Sequence, residues 1–464
     1  MQAIGKLTNE RTTMNNPIKS LFGLSDCVLS HSEVVQSDTQ RPYHLHVFDY
    51  AGEIINVCPE CGSKMYSHGK RSVTVTDVPA DMPVKWKINI PRRRCSACKA
   101  LWQPTIEGID EMRSLSSRAA INLTQRSIRD AFENVGEDYM LSGNTVKNIF
   151  VDFLKAYEQR LRFKVPAFLG IDEIKVKKLG ELTVITDLEH RTLFDILQGR
   201  NQKSLTEYFM NLQGRENVIW VCSDMYRPFE GTIGEALPNA RWAIDHFHVV
   251  MKANEAVDDV RRSLQDEMTK KDRIKTKRGL AYTLKTRLKD LSAEEASKLR
   301  EARNNPKTAP LIIAYDLKED FFNIYDNNPT SIENAKKDFE DWEKSISKDD
   351  LYEKFRTLAK TVHNFEEQIF NFWNCPIAIS NGFTECSNRI ICENNLRGRG
   401  YSFEVLRGRT LYRKTNFERI LSNGLVEFGP PIPSDEPVFL FEGSEDDALD
   451  YECDFDPDTG EIFN

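Results

Sequence analysis

The sequence predicts an α/β protein built in parts: a mixed-sheet core split by a large helical insertion, preceded by a cysteine-held ribbon and a helix-turn-helix. Three observations predict it. Two C-x-x-C pairs stand near the N-terminus with 33 residues between them. Short apolar runs carrying aspartate recur between residues 167 and 248. A charged, helix-forming stretch then fills residues 249–375, ahead of a lone Glu385 and an arginine-rich run. At 464 residues the chain is too long for one ordinary core and suggests two to four domains.

Residues 1–50 form an N-terminal segment opening MQAIGKLTNERTTMNN, which lacks the apolar stretch of a secretory signal. No run in the chain approaches the ~20 apolar residues of a membrane span. The expectation is a cytoplasmic protein with reduced thiols and no membrane partner. The net charge of −8 hides an asymmetry: residues 431–464 hold twelve Asp or Glu and no Lys or Arg, so residues 1–430 carry +4. From Gly62 to Asp130 there are 13 Lys or Arg against 6 Asp or Glu, and from Arg397 to Lys414 six against one. Such clustering is the electrostatic footprint of phosphate binding.

Residues 51–104 read as a zinc ribbon. Cys58 and Cys61 in CPECG, with Cys95 and Cys98 in CSACK, can supply four thiolates to one Zn²⁺ at about 2.3 Å each. Between them VTVTDV and VKWKINI read as two strands around a turn. Four cysteines leave no open coordination position, so the metal is structural. The segment PRRRCSACK sets Arg92, Arg93 and Arg94 on the second knuckle, placed to clamp phosphates. Cys27, Cys222, Cys375, Cys386, Cys392 and Cys453 form no comparable pattern and are expected to be free thiols.

Residues 105–160 turn to helical periodicity. Ala119, Ile121, Leu123, Ile128, Ala131, Phe132 and Val135 share a face, and Gly136 is expected to end that helix. A second helix opens at Ser142 or Asn144, with Val146, Ile149, Phe150 and Leu154 inward. Asn144, Thr145 and Lys147 at its N-terminus resemble the reading end of a helix-turn-helix.

Residues 161–248 read as the first part of a core. AFLGIDEIKV closes on Asp172 and Glu173; ELTVITDLEH and TLFDILQGR look like its antiparallel partners. A helix around SLTEYFMNL leads to NVIWVCSDM, closing on Asp224. Another helix leads to RWAIDHFHVVM, a fifth strand closing on Asp245 and His248. Three strands, a helix, a strand, a helix and a strand is the order of an RNase H-like core. Carboxylates on neighbouring strands, ~4.8 Å apart, can share a hard divalent cation. Two such cations serve in-line phosphoryl displacement. Asp172 and Glu173 point to opposite faces, so one of them joins the site; Asp245 is a further candidate, and Asp245 with His248 suits an orienting role. Glu385, on a helix packed against the sheet, fits the third carboxylate.

The helical insertion spans residues 249–375, with a basic stretch KKDRIKTKRGLAYTLKTRLK suited to DNA or to a passive spacer. Residues 376–425 complete the core with Glu385, followed by Arg397, Arg399, Arg407 and Arg409 as candidate DNA contacts. Residues 426–464 form an acidic tail whose composition predicts little fixed structure.

The order of ribbon, helix-turn-helix, GIDE, SDM, PNARWAIDHFHVV with NEAVDDVRR, and SNGFTECSN before an arginine-rich close resembles the ISL-three family of insertion-sequence transposases, over roughly residues 55 to 420. The resemblance implies a DDE transposase with an RNase H-like catalytic domain and a triad of Asp172, Asp224 and Glu385. Those three would hold Mg²⁺ or Mn²⁺. Asp245 to His248 is similar to the D-x-x-H element of related superfamilies. Family members usually carry Gly after the motif glutamate and Lys shortly after; here Cys386 and Cys392 stand there. The implied partners are double-stranded DNA, both terminal inverted repeats and target, and a second copy of the chain, at least a dimer, working at the bacterial nucleoid. The implied activity is end cleavage and strand transfer. Two other readings share these residues: a transposase-derived DNA-binding regulator that does not cut, and an RNase H-like nuclease that cuts without joining.

Overall fold

A computed structural model describes residues 22–37, 40–266 and 280–429, with two paired dipeptides at Asp454–Phe455 and Ile462–Phe463. Most of the acidic tail and residues 267–279, which include the first half of the basic stretch, lie outside the described residues. The chain divides into two compact units, with Phe163 opening the second. No described helix is long and apolar enough to cross a membrane.

The first unit is built on a seven-stranded sheet. Its strands are β1 (Cys27–Ser37), β2 (Gln40–Tyr50), β3 (Met65–Asp77), β4 (Val84–Cys95), β5 (Leu101–Trp102), β6 (Ile109–Asp110) and β7 (Leu115–Ser116). They lie in the order β1-β2-β4-β3-β7-β6, with β5 added to β4. The two strands read between the cysteine pairs are thus the β3–β4 hairpin, joined by a preceding β1–β2 hairpin through parallel pairing of β2 with β4. Strict alternation explains the core face. Trp86, Ile88 and Ile90 are fully buried with Phe48 and Val75, while Lys87 between them is exposed.

Three helices follow: α1 (Ser117–Ser127), α2 (Phe132–Tyr139) and α3 (Gly143–Glu158). Asp77 at the end of β3 is fully buried and receives Ser116 Oγ at 2.6 Å and Arg118 Nε at 2.8 Å. This fixes the start of α1 on the sheet. The single helix expected through Val135 is broken, because residues 128–131 turn the chain and α2 starts afresh. Gly136 does not end a helix. It lies inside α2, where a Cβ would meet Leu141 O at 2.5 Å, and the helix stops at Met140 in left-handed conformation. Ser142 caps α3 by accepting from Thr145 N.

After β8 (Leu161–Phe163), the second unit carries a five-stranded sheet of β9 (Phe168–Val176), β10 (Gly180–Asp187), β11 (Thr192–Gln198), β12 (Trp220–Ser223) and β13 (Arg241–Ile244). Their order is β11-β10-β9-β12-β13. The first three pair antiparallel, and β12 runs parallel to both β9 and β13. Helices α4 (Gln202–Asn211) and α5 (Arg227–Ala236) make the connections. The chain after β13 departs from expectation. The strand ends at Ile244, and α6 (His246–Asp266) places His248 on a helix. Val249, Val250, Ala253, Ala256, Val257 and Val260 explain this: their spacing is helical, and all are buried.

The insertion continues as α7 (Ala293–Arg303), α8 (Ala309–Asn327), α9 (Ile332–Ser345), α10 (Glu353–Asn364) and α11 (Glu366–Asn374). Leu311, Phe321, Phe339 and Phe355 share one apolar cluster with Leu169, Ile171 and Val221 of the sheet, so these helices belong to the core. The chain returns as α12 (Gly382–Arg397), α13 (Phe403–Leu411) and α14 (Lys414–Ser422).

Candidate active site and metal centres

Sheet register assembles the carboxylates. Cys222 of β12 lies beside Gly170 of β9, and Ser223 beside Ile244 of β13. Carried on to the next residues, this register sets Asp224 between Asp172 and Asp245 on three adjacent parallel strands, spaced ~4.8 Å apart. Asp172 sits in the middle of β9, not at its closing end, while Asp224 and Asp245 each follow the last residue of a strand. Asp245 N donates to Ser223 O at 2.9 Å, and Trp242 Nε1 to Ser223 Oγ at 2.8 Å, which ties the β12 and β13 ends together.

Helix α12 brings Glu385 to this row and runs alongside β9 in the same direction. Asn381 Nδ2 donates to Ile171 O at 3.0 Å, Asn388 Nδ2 to Asp172 Oδ2 at 2.7 Å, and Asn395 Nδ2 to Lys177 O at 3.1 Å. These asparagines recur every seven residues, two helical turns. Fourteen helical residues rise ~21 Å, and the six residues from Ile171 to Lys177 cover ~20 Å, so the two outer bonds match, while the middle one reaches the side chain of Asp172. Gly170 permits the approach: Thr384 and Thr186 bond to each other at 2.7 Å over its bare Cα.

His248 Nε2 stands 3.7 Å from Glu385 Oε1, and the ligand atoms of Asp245, His248 and Glu385 all lie within 4.8 Å of one another. Asp172 and Asp224 are outside that closest set but share its field. Glu385 is raised to about 8 by burial and by the charges of Asp245 and Asp172. Burial also raises Asp172 and Asp224, against the opposing charge of His248. At Asp245 burial pushes upward, yet His246, His248 and the Phe247 amide outweigh it and the carboxyl is held low. Glu173 points away to Arg200 at 3.2 Å.

Buried atoms without hydrogen-bond partners gather here: Asp224 Oδ1, Asp245 Oδ2, His248 Nε2 and Asn388 Oδ1. Unpaired buried polar atoms are costly, and this set of carboxylate oxygens with one imidazole suits a hard divalent cation. The residues fit Mg²⁺ or Mn²⁺.

The four ribbon cysteines also converge. Sulfur separations are 3.6 Å for Cys58–Cys98, 3.4 Å for Cys61–Cys95 and 3.5 Å for Cys61–Cys98. A tetrahedron with ~2.3 Å zinc–sulfur bonds has edges near these values. The knuckles match: the residue after each pair's second cysteine, Gly62 or Lys99, has positive φ.

A family model described as "Transposase", of the ISL3 DDE type, matches residues 169–410. The chain belongs to the ISL-three family of transposases. A second model, the zinc-finger of transposase IS204/IS1001/IS1096/IS1165, matches residues 56–98 of the transposase. A comparison with curated proteins returns no match. The family and the cysteine cluster assign a structural Zn²⁺, and the DDE domain implies catalytic Mg²⁺ or Mn²⁺.

The structure sorts the other expected residues of this transposase. Asn144 and Thr145 are exposed and Lys147 half-exposed on the first turn of α3; Arg92, Arg93 and Arg94 are half-buried beside Cys95. Arg397 and Arg399 are exposed. Arg407 is instead bound to Asp195 at 2.7 Å, and Arg409 is buried, its guanidinium 4.5 Å from the Tyr401 ring centre. These two hold α13 in place. Cys27, Cys222, Cys375 and Cys392 are free thiols, but Cys386 is disulfide-bonded, correcting the expectation for that residue. Spacing along the chain carried no signal of this bond; Cys453 lies outside the described residues. Asn388 was not foreseen; its place three residues after Glu385, one turn along the same face, is the signal that could have found it.

Two outcomes follow. Removing zinc should open the knuckles without dissolving the sheet, because Trp86 and its neighbours form a separate cluster from Cys58 and Cys95. Chelation is therefore expected to expose all four cysteines to alkylation while Trp86 stays shielded from a fluorescence quencher. The second concerns pH. Folded Glu385 keeps its proton to about pH 8, whereas in the unfolded chain it ionises near 4.5. The folded state then binds more protons in between, so this contribution is present below pH ~4.5 and lost as pH rises through about 8. Metal-free Glu385→Gln should melt above the parent at pH ~8.5 and with it at pH ~4.5, by calorimetry.

Proposed function

We propose that this transposase cuts DNA at the ends of an insertion sequence and joins the freed ends to target DNA, using an RNase H-like core. The observation that carries this reading is the meeting of Glu385 with Asp245 and His248 inside 4.8 Å, next to the strand-borne Asp172 and Asp224. Asp172, Asp224 and Glu385 would hold the divalent cations. When bound, these supply Lewis acidity that lowers the cost of charge on the attacking and leaving oxygens. Asn388 holds one oxygen of Asp172 and leaves the carboxylate aimed along a single direction. Asp245 and His248 position Glu385, and Arg200 draws Glu173 out of competition.

In the same proposal the helix-turn-helix of α2 and α3 reads the terminal inverted repeats through Asn144, Thr145 and Lys147. Arg92, Arg93 and Arg94 bind phosphates beside the zinc. Pairing two ends calls for at least a dimer, acting in the cytoplasm at the nucleoid. The test is strand cleavage and joining on end DNA with Mg²⁺ or Mn²⁺, comparing the parent with Asp172→Ala. Equal cleavage by both, or none by the parent, defeats the reading; cleavage without joining makes the chain a nuclease.

A further inference from the structure

A second cluster of charge lies at the far end of α12, away from the carboxylates, and joins Arg397 and Arg399, read from the sequence as candidate DNA contacts, to lysines that the sequence reading did not single out. The end of β9 and the β9–β10 turn carry Lys175, Lys177 and Lys178, all exposed. The end of α12 and the turn after it carry Arg397 and Arg399, also exposed. More than two hundred residues separate the two segments in sequence, and specific bonds hold them together. Lys178 Nζ donates to Arg399 O at 2.8 Å, and Asn395 Nδ2 to Lys177 O. Gly400 gives the lysine room, since a Cβ there would come within 2.6 Å of Lys178 Cδ. Lys178 (φ 74°) and Arg399 (φ 54°) are both left-handed, a conformation that bulky side chains adopt at a cost.

Two nearby acids are occupied. Glu181, opposite Lys175 on β10, is bound by Arg200 at 3.0 Å, and Glu393 lies 3.8 Å from Arg389. Among the described residues none of the five cations enters an ion pair. Five unneutralised positive charges, assembled from two distant segments at a strained turn, are what a polyanion rewards and a folded monomer alone does not.

We propose that Lys175, Lys177, Lys178, Arg397 and Arg399 form a prong that grips the phosphate backbone of duplex DNA away from the point of cleavage. This rests on the cleavage reading only for its distance. From Glu385 to Arg397 α12 rises ~18 Å, or about five base pairs of duplex at 3.4 Å each. The prong reads no sequence; it fixes how far the duplex extends along α12 before leaving the protein.

The test is binding, not cleavage, so its outcome is independent of whether Asp172→Ala still cuts. The full chain carrying Lys175→Gln, Lys177→Gln, Arg397→Gln and Arg399→Gln is compared with the parent on two duplexes, one with the element's terminus and one of mixed sequence. Lys178 is kept because its bond to Arg399 holds the turn. The slope of log affinity against log salt should flatten by about two to four, near 0.9 for each phosphate that is no longer neutralised. Flattening on the terminus alone assigns the prong to donor DNA; flattening on both assigns it to any duplex, target included. An unchanged slope on both overturns the proposal. If the fourfold variant fails to fold, the pair Arg397→Gln and Arg399→Gln replaces it, expected to flatten the slope by about two, while Arg397→Lys with Arg399→Lys should keep the parent slope.

Discussion

Asp172→Ala should lower end cleavage by about a hundred- to a thousandfold, the scale on which losing one preorganised electrostatic group acts. Asp172 is the one carboxylate of the row held at both oxygens, by Glu173 N at 2.8 Å and Asn388 Nδ2 at 2.7 Å. Its removal takes away a proposed metal ligand and also leaves the Asn388 amide without its acceptor. A drop in melting temperature need not accompany the loss. The carboxyl is raised by burial, so its charged form is disfavoured in the folded chain, and alanine relieves that cost. Asp172→Asn separates the two contributions: it preserves a group for Asn388 but not the charge, and should cleave as poorly as alanine. A gel assay on labelled end DNA across both metals checks this, and cleavage within tenfold of the parent would remove Asp172 from the chemistry.

Gly170→Ala is expected to be nearly as damaging for a different reason. The added methyl would overlap Thr384 Oγ1, lie 2.5 Å from Thr186 Oγ1 and 2.7 Å from Asn381 Oδ1. All three residues are buried and bonded, so none can swing aside into solvent. Relief must come from moving α12 off the sheet, which costs roughly 1–3 kcal/mol in packing and carries Glu385 with it. A displacement of about 1 Å at the reacting groups typically costs about a hundredfold in rate. Melting temperature and cleavage should therefore fall together, unlike the carboxylate variants. Adding Thr186→Ala and Thr384→Ala should restore part of both; no recovery would mean that the contact is not the cause.

Much of this was legible in the chain because the signals are local. The C-x-x-C spacing gives the metal knuckles, and short apolar runs give β9 to β13 in order. The insertion reads as helix from its propensity. What escaped is tertiary. The β1–β2 hairpin joins the ribbon's sheet by parallel pairing, which no short-range pattern announces. Gly136 looks like a helix stop, yet the close approach of Leu141 O is what demands it. His248 follows an apolar run that reads as strand until the periodicity of Val249 to Val260 is counted. Arg407 and Arg409 look like their exposed neighbours Arg397 and Arg399, and burial alone separates them. The seven-residue repeat of Asn381, Asn388 and Asn395 is visible in the letters, but it becomes meaningful only once a strand is known to lie beneath it.

That repeat makes the seating of α12 a matter of discrete notches. A greasy helix can slide by a fraction of a turn and still find grease; three amides reaching three particular oxygens cannot. The distance between the strand-borne acids and the helix-borne one is therefore locked locally by the notches, so a change of length in a link between the insertion's helices leaves it untouched, whereas loss of the side chains by which those helices join the core does not.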